Sequence, residues 1–362
     1  MIAILASASL AAGACDASWP LWDRYVEGFV SADGRVIDRT AGDRTTSEGQ
    51  AYALFFSLVS NDRALFERVL RWTEQNLAQA DLRRSLPAWH WGRRREGAWG
   101  ILDRNPASDA DLWLAYALLE AGRAWSERRY VTLGEQVLAN AAAREVVSLP
   151  GFGPSLLQGP AGFAAAGGFR VNPSYAPPPL LRRFARAGAP WDGVLASSTR
   201  MLRLFAEGAA APDWALARAG RLFPDPVHGR VASYDAIRVP LWVGMTPDRD
   251  AGLERIADGL FRALESNGRL PERLDARTLQ GRGEAPPGFY GALLPLAPRP
   301  ARAVLEARLA ASWSNGLYGS PPAYYDQNLV LFGQGFVEGR YHFATDGSLV
   351  LAWETRCLGR AR

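Results

Sequence analysis

Helical structure is indicated first by the stretch SEGQAYALFFSLVS at residues 47–60. Its apolar side chains recur at helical spacing, and Ser47 stands where an N-cap residue is expected. The next stretch, residues 62–80, places apolar side chains at i, i+3 and i+4 positions: Leu65, Val69, Trp72 and Leu77. Two such stretches joined by a short polar loop predict a pair of packed helices.

Helical periodicity dominates the rest of the chain. Further helices are predicted over residues 109–125, 130–147, 178–187, 191–208, 248–266, 298–312 and 322–335. Alternation of apolar and polar residues is scarce, and only residues 228–233 and 340–344 are strand candidates. Helices in pairs, without a fixed repeat or a Pro/Ser-rich linker, favour an all-α toroid with inner and outer helices and long loops at one end. An irregular α-solenoid fits the periodicity nearly as well.

Composition excludes several classes of protein. The chain has 362 residues, of which 48% are hydrophobic and 22% charged, so it is neither disordered nor fibrous. That length suits two domains or one closed barrel. All 41 basic residues are Arg, and a net charge of +4 spread over the chain argues against nucleic-acid binding. The 13 Trp residues are the more useful signal, since a flat indole ring stacks well on sugar rings.

The N-terminus has the pattern of an export signal. Residues 2–14 are apolar and end in Ala12-Gly13-Ala14, which resembles a signal-peptidase site, although a basic leading segment is missing. The stretch is too short to span a membrane, and the mature protein is predicted to have no membrane span. Export would allow Cys15 and Cys357 to form a disulfide. Two unpaired thiols, or a lipid on Cys15, are the alternatives.

Carboxylates are the best candidates for catalysis. The chain has three His residues and lacks a nucleophile motif, a phosphate-binding loop and a metal-binding cluster. Three segments carry unusual acids: Glu48 at the start of an apolar helix, Asp109 and Asp111 at the start of another, and Asp235 three residues before Arg238. Helix-dipole pairing, N-capping and a structural ion pair are the simpler explanations of these positions. A carboxylate kept ionised and oriented by Arg238 is the functional one.

Seven short motifs carry a resemblance to glycoside hydrolase family 8. In chain order they are GRVID (34–38), TSEGQ (46–50), LPAW (86–89), ASDAD (107–111), NPSY (172–175), SYDAIR (233–238) and LFGQG (331–335). The resemblance runs from about residue 19 to 357. One departure is Ala110, where the family pattern has Gly; the change crowds the backbone slightly and removes neither aspartate.

The resemblance implies a fold and a set of roles. It implies an (α/α)6 barrel with an active-site cleft at one end, and hydrolysis of β-1,4-glucan with inversion. Glu48 would be the general acid and Asp235 the general base. Asp109 would contact the distorted sugar at the cleavage point, supported by Asp111. Tyr234 and Arg238 would shape the surroundings of the base.

Aromatic residues near the matched motifs are predicted to bind the glucan chain. Trp89, Trp91, Trp99 and Tyr175 fall in loops or at element ends, where sugar faces could stack on them. By contrast, Trp72, Trp113 and Trp125 lie at helical spacing among aliphatic residues and are predicted to be core.

The sequence therefore predicts a signal peptide at residues 1–14 and a single hydrolase domain at residues 15–362. The predicted protein is a periplasmic or secreted endo-1,4-β-glucanase that needs no metal or cofactor. It would cut cello-oligosaccharides and trim cellulose, with a cellulose synthase complex as a candidate partner and no nucleic-acid partner. Hydrolysis of mixed-linkage glucan, xylan or chitosan is the first alternative, and a glucan-binding assembly factor with dispensable catalysis is the second.

Overall fold

Helices make up about half of the described residues, and short strands and loops connect them. The computed structural model describes residues 18–165 and 167–358. Its helices are α1 (Pro20–Phe29), α2 (Ser47–Val59), α3 (Arg63–Leu77), α4 (Ser108–Ala124), α5 (Arg128–Glu145), α6 (Pro178–Ala185), α7 (Trp191–Glu207), α8 (Arg238–Gly244), α9 (Asp258–Asn267), α10 (Pro287–Leu293), α11 (Arg299–Ser312), α12 (Tyr324–Val337) and α13 (Ala352–Leu358).

Short antiparallel strands lie between the helices. They are β1 (Thr45–Thr46), β2 (His90–Arg93), β3 (Trp99–Asp103), β4 (Val146–Leu149), β5 (Gly153–Leu156), β6 (Ala164–Ala165), β7 (Gly168–Val171), β8 (Ala215–Arg218), β9 (Arg221–Pro224), β10 (Val231–Ala232), β11 (Arg273–Asp275), β12 (Gly281–Arg282), β13 (Trp313–Ser314), β14 (Leu317–Tyr318), β15 (Tyr341–Phe343) and β16 (Leu349–Leu351). The larger sheets have the strand orders β1-β2-β3, β10-β11-β12 and β6-β7-β8-β9.

Six helices form a closed inner ring. Helix α2 packs on α4, α4 on α6, α6 on α8, α8 on α10, α10 on α12, and α12 again on α2. The alternate helices lie outside this ring: α3, α5, α7 and α11 each pack on the preceding inner helix, α1 packs on α12, and α9 packs on α11. Six outer and six inner helices that alternate along the chain form an (α/α)6 barrel, as the sequence predicted.

The apolar pattern explains which helices are inside. Every residue of α8 is buried, and every residue of α2 except Glu48 is buried. A helix that is apolar around its whole circumference must be surrounded by other elements. The outer helices bury only one face; α7, for example, buries Trp191, Val194 and Leu202 among others and leaves the opposite side to solvent. The inner ring is therefore selected by composition.

Aromatic rings fill the middle of the ring. Phe332 of α12 lies 5.0 Å from Tyr52, 4.9 Å from Trp113 and 5.1 Å from Trp242, measured between ring centroids. These partners come from α2, α4 and α8, so one cluster joins four inner helices. Edge-to-face and tilted contacts of this kind are favourable because ring edges and faces carry opposite partial charges. The cluster packs these four helices against one another and so sets their relative positions.

The structure corrects several details of the predicted elements. Residues 248–266 are not one helix, because a 3-10 helix at Leu253–Ala257 precedes α9. Helices α1, α8, α10 and α13 were missed; the first three contain proline, and α8, α10 and α13 have only seven residues. The two predicted strand segments contain β10 and β15. The prediction that these were the only strand candidates was wrong, because further short strands occur among the described residues. Trp72 and Trp113 are buried core residues as predicted, whereas Trp125 is half-buried against Phe66.

Some predictions fall on the ends of the chain. The predicted signal peptide and Cys15 lie outside the described residues, as does the side chain of Cys357, so their pairing stays a prediction. Among the described residues, no helix has both the length and the apolar composition that a membrane crossing requires.

Two inner helices approach each other through glycine. A Cβ atom built on Gly333 of α12 would lie 1.9 Å from the carbonyl oxygen of Gly291 in α10. The nearest atoms, the carbonyl oxygen and carbon of Gly291, belong to the backbone, so no side chain could move aside to make room. The close packing of α10 on α12 thus requires glycine at position 333.

We expect Gly333→Ala to lower the free energy of unfolding by at least about 1–3 kcal/mol, the usual cost of overpacking a core. Urea denaturation followed by circular dichroism would measure this. The matched control is Gly28→Ala in α1, where the new methyl group would meet only Leu317 Cδ1 at 3.6 Å. That variant should be neutral or gain up to about 1 kcal/mol from helix propensity. Equal effects in the two variants would contradict the proposed close approach.

Candidate active site

A buried arginine binds two of the predicted acids. Arg238 is the first residue of α8, and its Nη1 atom donates to Asp109 Oδ2 at 2.5 Å. Its Nη2 atom donates to Asp235 Oδ1 at 2.8 Å. Nη1 also donates to the hydroxyl of Tyr52 at 3.2 Å. One guanidinium therefore joins side chains from α2, from α4 and from the turn before α8.

Local structure explains the contact between Arg238 and Asp235. Asp235 and Arg238 lie three residues apart in a helical turn, in which the Arg238 N–H donates to the Asp235 carbonyl at 3.1 Å. That spacing brings the two side chains to the same face, as the sequence predicted. Asp109 reaches the same guanidinium from the second position of α4. Its approach depends on the packing of the inner ring.

Glu48 occupies the second position of α2 and is the single residue of that helix with partial exposure. The helix is capped by Thr46, whose side chain accepts from the Gly49 N–H at 3.2 Å, so the prediction of Ser47 as N-cap was wrong. Ser47 N–H instead donates to the Trp89 carbonyl at 3.0 Å. This bond ties the start of α2 to the strand that follows Trp89.

Burial and charge keep a proton on Glu48 near neutral pH. Burial raises the pKa of Glu48 to about 7, and the negative charge of Asp109 adds to the rise, while Arg238 opposes it. A position at a helix N-terminus would by itself favour the ionised form, so burial outweighs the helix dipole here. Burial also raises the pKa of Asp109, against the effect of its bond to Arg238. Glu48 can therefore act as an acid at neutral pH.

Asp111 points to a different place from Asp109. Two residues that are two apart in a helix do not share a face, and the Asp111 carboxyl group faces that of Glu145, at the end of α5. Both side chains are fully buried, and none of the four carboxyl oxygens has a hydrogen-bond donor among the described residues. Burial raises the pKa of Glu145 to about 8 and that of Asp111 well above its usual range. The structure thus places Asp111 against a second acid, and this pair holds a proton; the predicted role of Asp111 in binding substrate stays a prediction.

Two of the predicted tryptophans form one surface. Trp91 lies on β2 and Trp99 on β3, and their rings stack with centroids 5.1 Å apart and planes 18° apart. The guanidinium of Arg35 lies 4.4 Å from the Trp91 ring and 4.7 Å from the Trp99 ring. The two residues are on a β-hairpin rather than in loops, and Trp99 is 45% exposed. Because β2 pairs with β1, the hairpin that carries this surface lies next to the start of α2.

Trp89 and Tyr175 also border the charged cluster. Trp89 is half-buried, stacks on His90 with centroids 4.5 Å apart, and holds the start of α2 through its carbonyl. Tyr175 ends a short 3-10 helix at Pro173–Tyr175, and the guanidinium of Arg238 lies 5.4 Å from its ring. Both aromatic residues therefore lie beside elements that carry the acids. Their binding of the glucan chain stays a prediction.

Tyr234 is next to Asp235 in sequence but its side chain points outward. It is 41% exposed, and its hydroxyl donates to Glu272 Oε1 at 3.2 Å. Its backbone carbonyl accepts from the Tyr325 hydroxyl at 2.5 Å. Contact of Tyr234 with substrate stays a prediction, and Tyr325 is a neighbour of the site that the sequence analysis missed.

A second aromatic surface was also missed. Phe163 and Trp214 stack with centroids 5.8 Å apart and planes 6° apart, and Tyr175 lies 6.3 Å from Trp214. The abundance of aromatic residues at 150–180 was the available signal for Phe163, but Trp214 stands alone in its segment. This surface borders the segment that carries Asp235. The Trp91 and Trp99 surface lies instead on the hairpin next to the start of α2.

Replacing Arg238 tests the electrostatic description. In Arg238→Met, Asp109 stays buried without its cation, so we expect unfolding at pH 8 to require about 3–5 kcal/mol less than in the wild type. The loss should be smaller at pH 5. Without the guanidinium the pKa of folded Asp109 rises further above its unfolded value, so folding takes up a proton and stability falls as pH rises. Urea titrations at the two pH values would measure the difference.

Arg24→Met, which removes an exposed ion pair with Glu27, is the control and should change the free energy of unfolding little at either pH. A loss equal at both pH values would contradict the prediction.

Comparison with known proteins shows the family to which this chain belongs. The model of glycosyl hydrolases family 8 matches residues 1–339. An endoglucanase from Xanthomonas axonopodis pv. citri (strain 306) is 44% identical over 366 residues, covering 98% of this chain and 94% of the relative. An endoglucanase from Escherichia coli (strain K12) is 42% identical over 347 residues, covering 94% and 93%. The crystal structure of an endo-1,4-D-glucanase from Vibrio fischeri ES114 has a TM-score of 0.86 at 36% identity, covering 93% of this chain and 100% of that one. By sequence and by fold, this chain belongs to glycosyl hydrolases family 8 and is a glycoside hydrolase.

Proposed function

We propose that this protein is an endo-acting β-1,4-glucanase that inverts the anomeric configuration of its product. The observation that carries the proposal is the grouping of Glu48, whose pKa is about 7, with Asp235, which is bound to Arg238. An inverting glycosidase needs one protonated and one ionised carboxyl group, about 6.5–9.5 Å apart, with room for a water molecule between base and sugar. The relatives named endoglucanase, at 42% and 44% identity over most of the chain, support the choice of glucan.

The residues divide the reaction between them. Glu48 donates its proton to the glycosidic oxygen as the bond from that oxygen to the anomeric carbon breaks. Asp235 takes a proton from a water molecule as the water oxygen bonds to the anomeric carbon from the opposite face of the ring. Asp109, held by Arg238, contacts the sugar at the cleavage point. The guanidinium orients both aspartates through direct contacts, while the raised pKa of Glu48 lets that residue carry the proton.

Two aromatic surfaces would bind the chain on either side of these acids. The Trp91 and Trp99 rings lie on the hairpin next to the start of α2, while Tyr175 and Trp214 border the segment of Asp235. Flat apolar faces stack on pyranose rings. Binding surfaces on both sides of the cleavage point suit an enzyme that cuts within a chain.

Other β-linked glycans are the alternative substrates, since the acids themselves do not discriminate among them. Arg35 bears on this choice because its guanidinium lies against both rings of the Trp91 and Trp99 surface. A fixed positive charge there disfavours a polycation such as chitosan. A glucan-binding assembly factor would have no need of the arrangement of Glu48, Asp235 and Arg238, so hydrolysis is favoured.

We further propose a cellular context. Residues 1–14 would act as an export signal, leaving residues 15–362 as one hydrolase domain in the periplasm or outside the cell. There the enzyme would trim cellulose chains as a membrane synthase complex releases them. This part of the proposal rests on the N-terminal sequence and on the family resemblance.

The stereochemistry of the first product tests the mechanism. With cellopentaose as substrate, we expect proton NMR to show the α-anomer before mutarotation, together with a fast fall in the viscosity of carboxymethyl-cellulose relative to the release of reducing ends. Asp235→Asn should abolish both signals while the variant still binds cellopentaose in calorimetry. Initial release of the β-anomer, or turnover retained by Asp235→Asn, would refute the assignment.

The raised pKa of Glu48 predicts the alkaline side of the pH profile. Because the acid must be protonated, kcat/KM should fall as pH rises through about 7. Glu48→Gln should lower kcat by about 100- to 10,000-fold with binding preserved, since a positioned general acid contributes that much. Glu27→Gln, at an exposed acid of α1, serves as the control and should keep the wild-type profile. An alkaline limb that persists in residual Glu48→Gln activity would assign it to another group.

A further inference from the structure

A second aspartate holds the backbone on both sides of Asp235. Asp213 is buried, and its Oδ1 atom accepts from the N–H of Ser233 at 2.7 Å and from the N–H of Ala236 at 2.8 Å. Its Oδ2 atom accepts from the Ser233 hydroxyl at 2.5 Å. All three bonds go to a segment some twenty residues later in the chain. They flank the position of Asp235.

This segment lacks the usual means of starting a helix. Residues 233–237 form a turn in which the Ile237 N–H donates to the Ser233 carbonyl at 3.1 Å, and the turn continues into α8. Within the described part of the chain, Ile237 at the N-cap position of α8 makes no side-chain cap bond. The first N–H groups of a helical turn need acceptors from elsewhere. Asp213 supplies them from outside, in place of a local cap.

The position of Asp235 depends on that turn. Its side chain is one-third exposed, and its one ion pair is with Arg238 in the same turn. That pair fixes Asp235 relative to Arg238 but does not fix the turn relative to the barrel. The bonds from Asp213, and the bond from the Tyr325 hydroxyl to the Tyr234 carbonyl, do so from two other segments. Asp213 also directly precedes Trp214, so the same short segment carries part of an aromatic surface.

We propose that Asp213 is a positioning residue for the general base: its three hydrogen bonds hold the 233–236 turn so that the Asp235 carboxylate meets the attacking water in the productive orientation. The inference rests on the proposed function, because it takes Asp235 as the base. A displacement of about 1 Å in a reacting group can cost about 100-fold in rate. The bonds from Asp213 are therefore expected to affect kcat more than substrate binding.

Asp213→Ala and Asp213→Asn separate positioning from charge. Asp213→Ala removes all three acceptors, and we expect kcat on carboxymethyl-cellulose to fall about 10- to 100-fold while the Kd for cellopentaose changes less than about twofold. Asp213→Asn keeps an oxygen for the two N–H groups and should recover most of that loss. Ser233→Ala removes only the hydroxyl bond and should lower kcat by a few-fold in the same direction. It keeps the proposal testable if Asp213→Ala does not fold.

Asp275 offers a matched control. It also accepts from two N–H groups and a hydroxyl, those of Arg277 at 2.9 Å and of Thr278 at 2.7 and 3.2 Å, but it caps its own hairpin turn. Asp275→Ala should keep the wild-type kcat. The proposal is overturned if Asp213→Ala keeps kcat, if Asp213→Asn is as impaired as Asp213→Ala, or if kcat falls equally in Asp275→Ala. Activity retained by Asp235→Asn would instead overturn the proposed function itself.

Discussion

A buried guanidinium shared by two carboxylates is the interaction on which the rest of the site depends. Burying Arg238 is costly unless its charge is met by close partners, and Asp109 and Asp235 supply them at 2.5 and 2.8 Å. The ends of α2, α4 and α8 must therefore meet at one point, and the closed ring around the Phe332 cluster holds them there. Well-packed apolar residues in place of a buried ion pair are often as stable or more stable, so stability alone does not account for this arrangement.

Charge balance decides which acids keep their protons. Glu48, Asp109 and Asp235 act on one another around a single cation, with Asp111 and Glu145 buried close by. One positive charge does not neutralise so many carboxylates at low dielectric. Burial holds the pKa of Glu48 at about 7 and that of Glu145 at about 8, while Arg238 lies in direct contact with Asp109 and Asp235.

Sequence could predict what local spacing determines. The helices, their alternation and the pairing of Asp235 with Arg238 follow from periodicity and from an i, i+3 spacing. The i, i+2 spacing of Asp109 and Asp111 places them on different faces of α4, which the prediction that Asp111 supports Asp109 did not take into account. The bond from Asp109 to Arg238 spans 129 residues, and the bonds from Asp213 cross segments, so only the packed ring brings them together. Short strands such as β1 and β12 escaped prediction because pairing partners, rather than alternation within two residues, define them.

Closure of the ring sets the order in which the protein can assemble. The contact between α2 and α12 joins helices near opposite ends of the chain, and such distant contacts form slowly because long loops must close first. During synthesis, α2 exists with its apolar surface exposed long before α12 arrives. The barrel can therefore close only when α12 has formed. A chain that stops before residue 324 leaves the apolar surfaces of the inner helices exposed, where chaperones and proteases can bind.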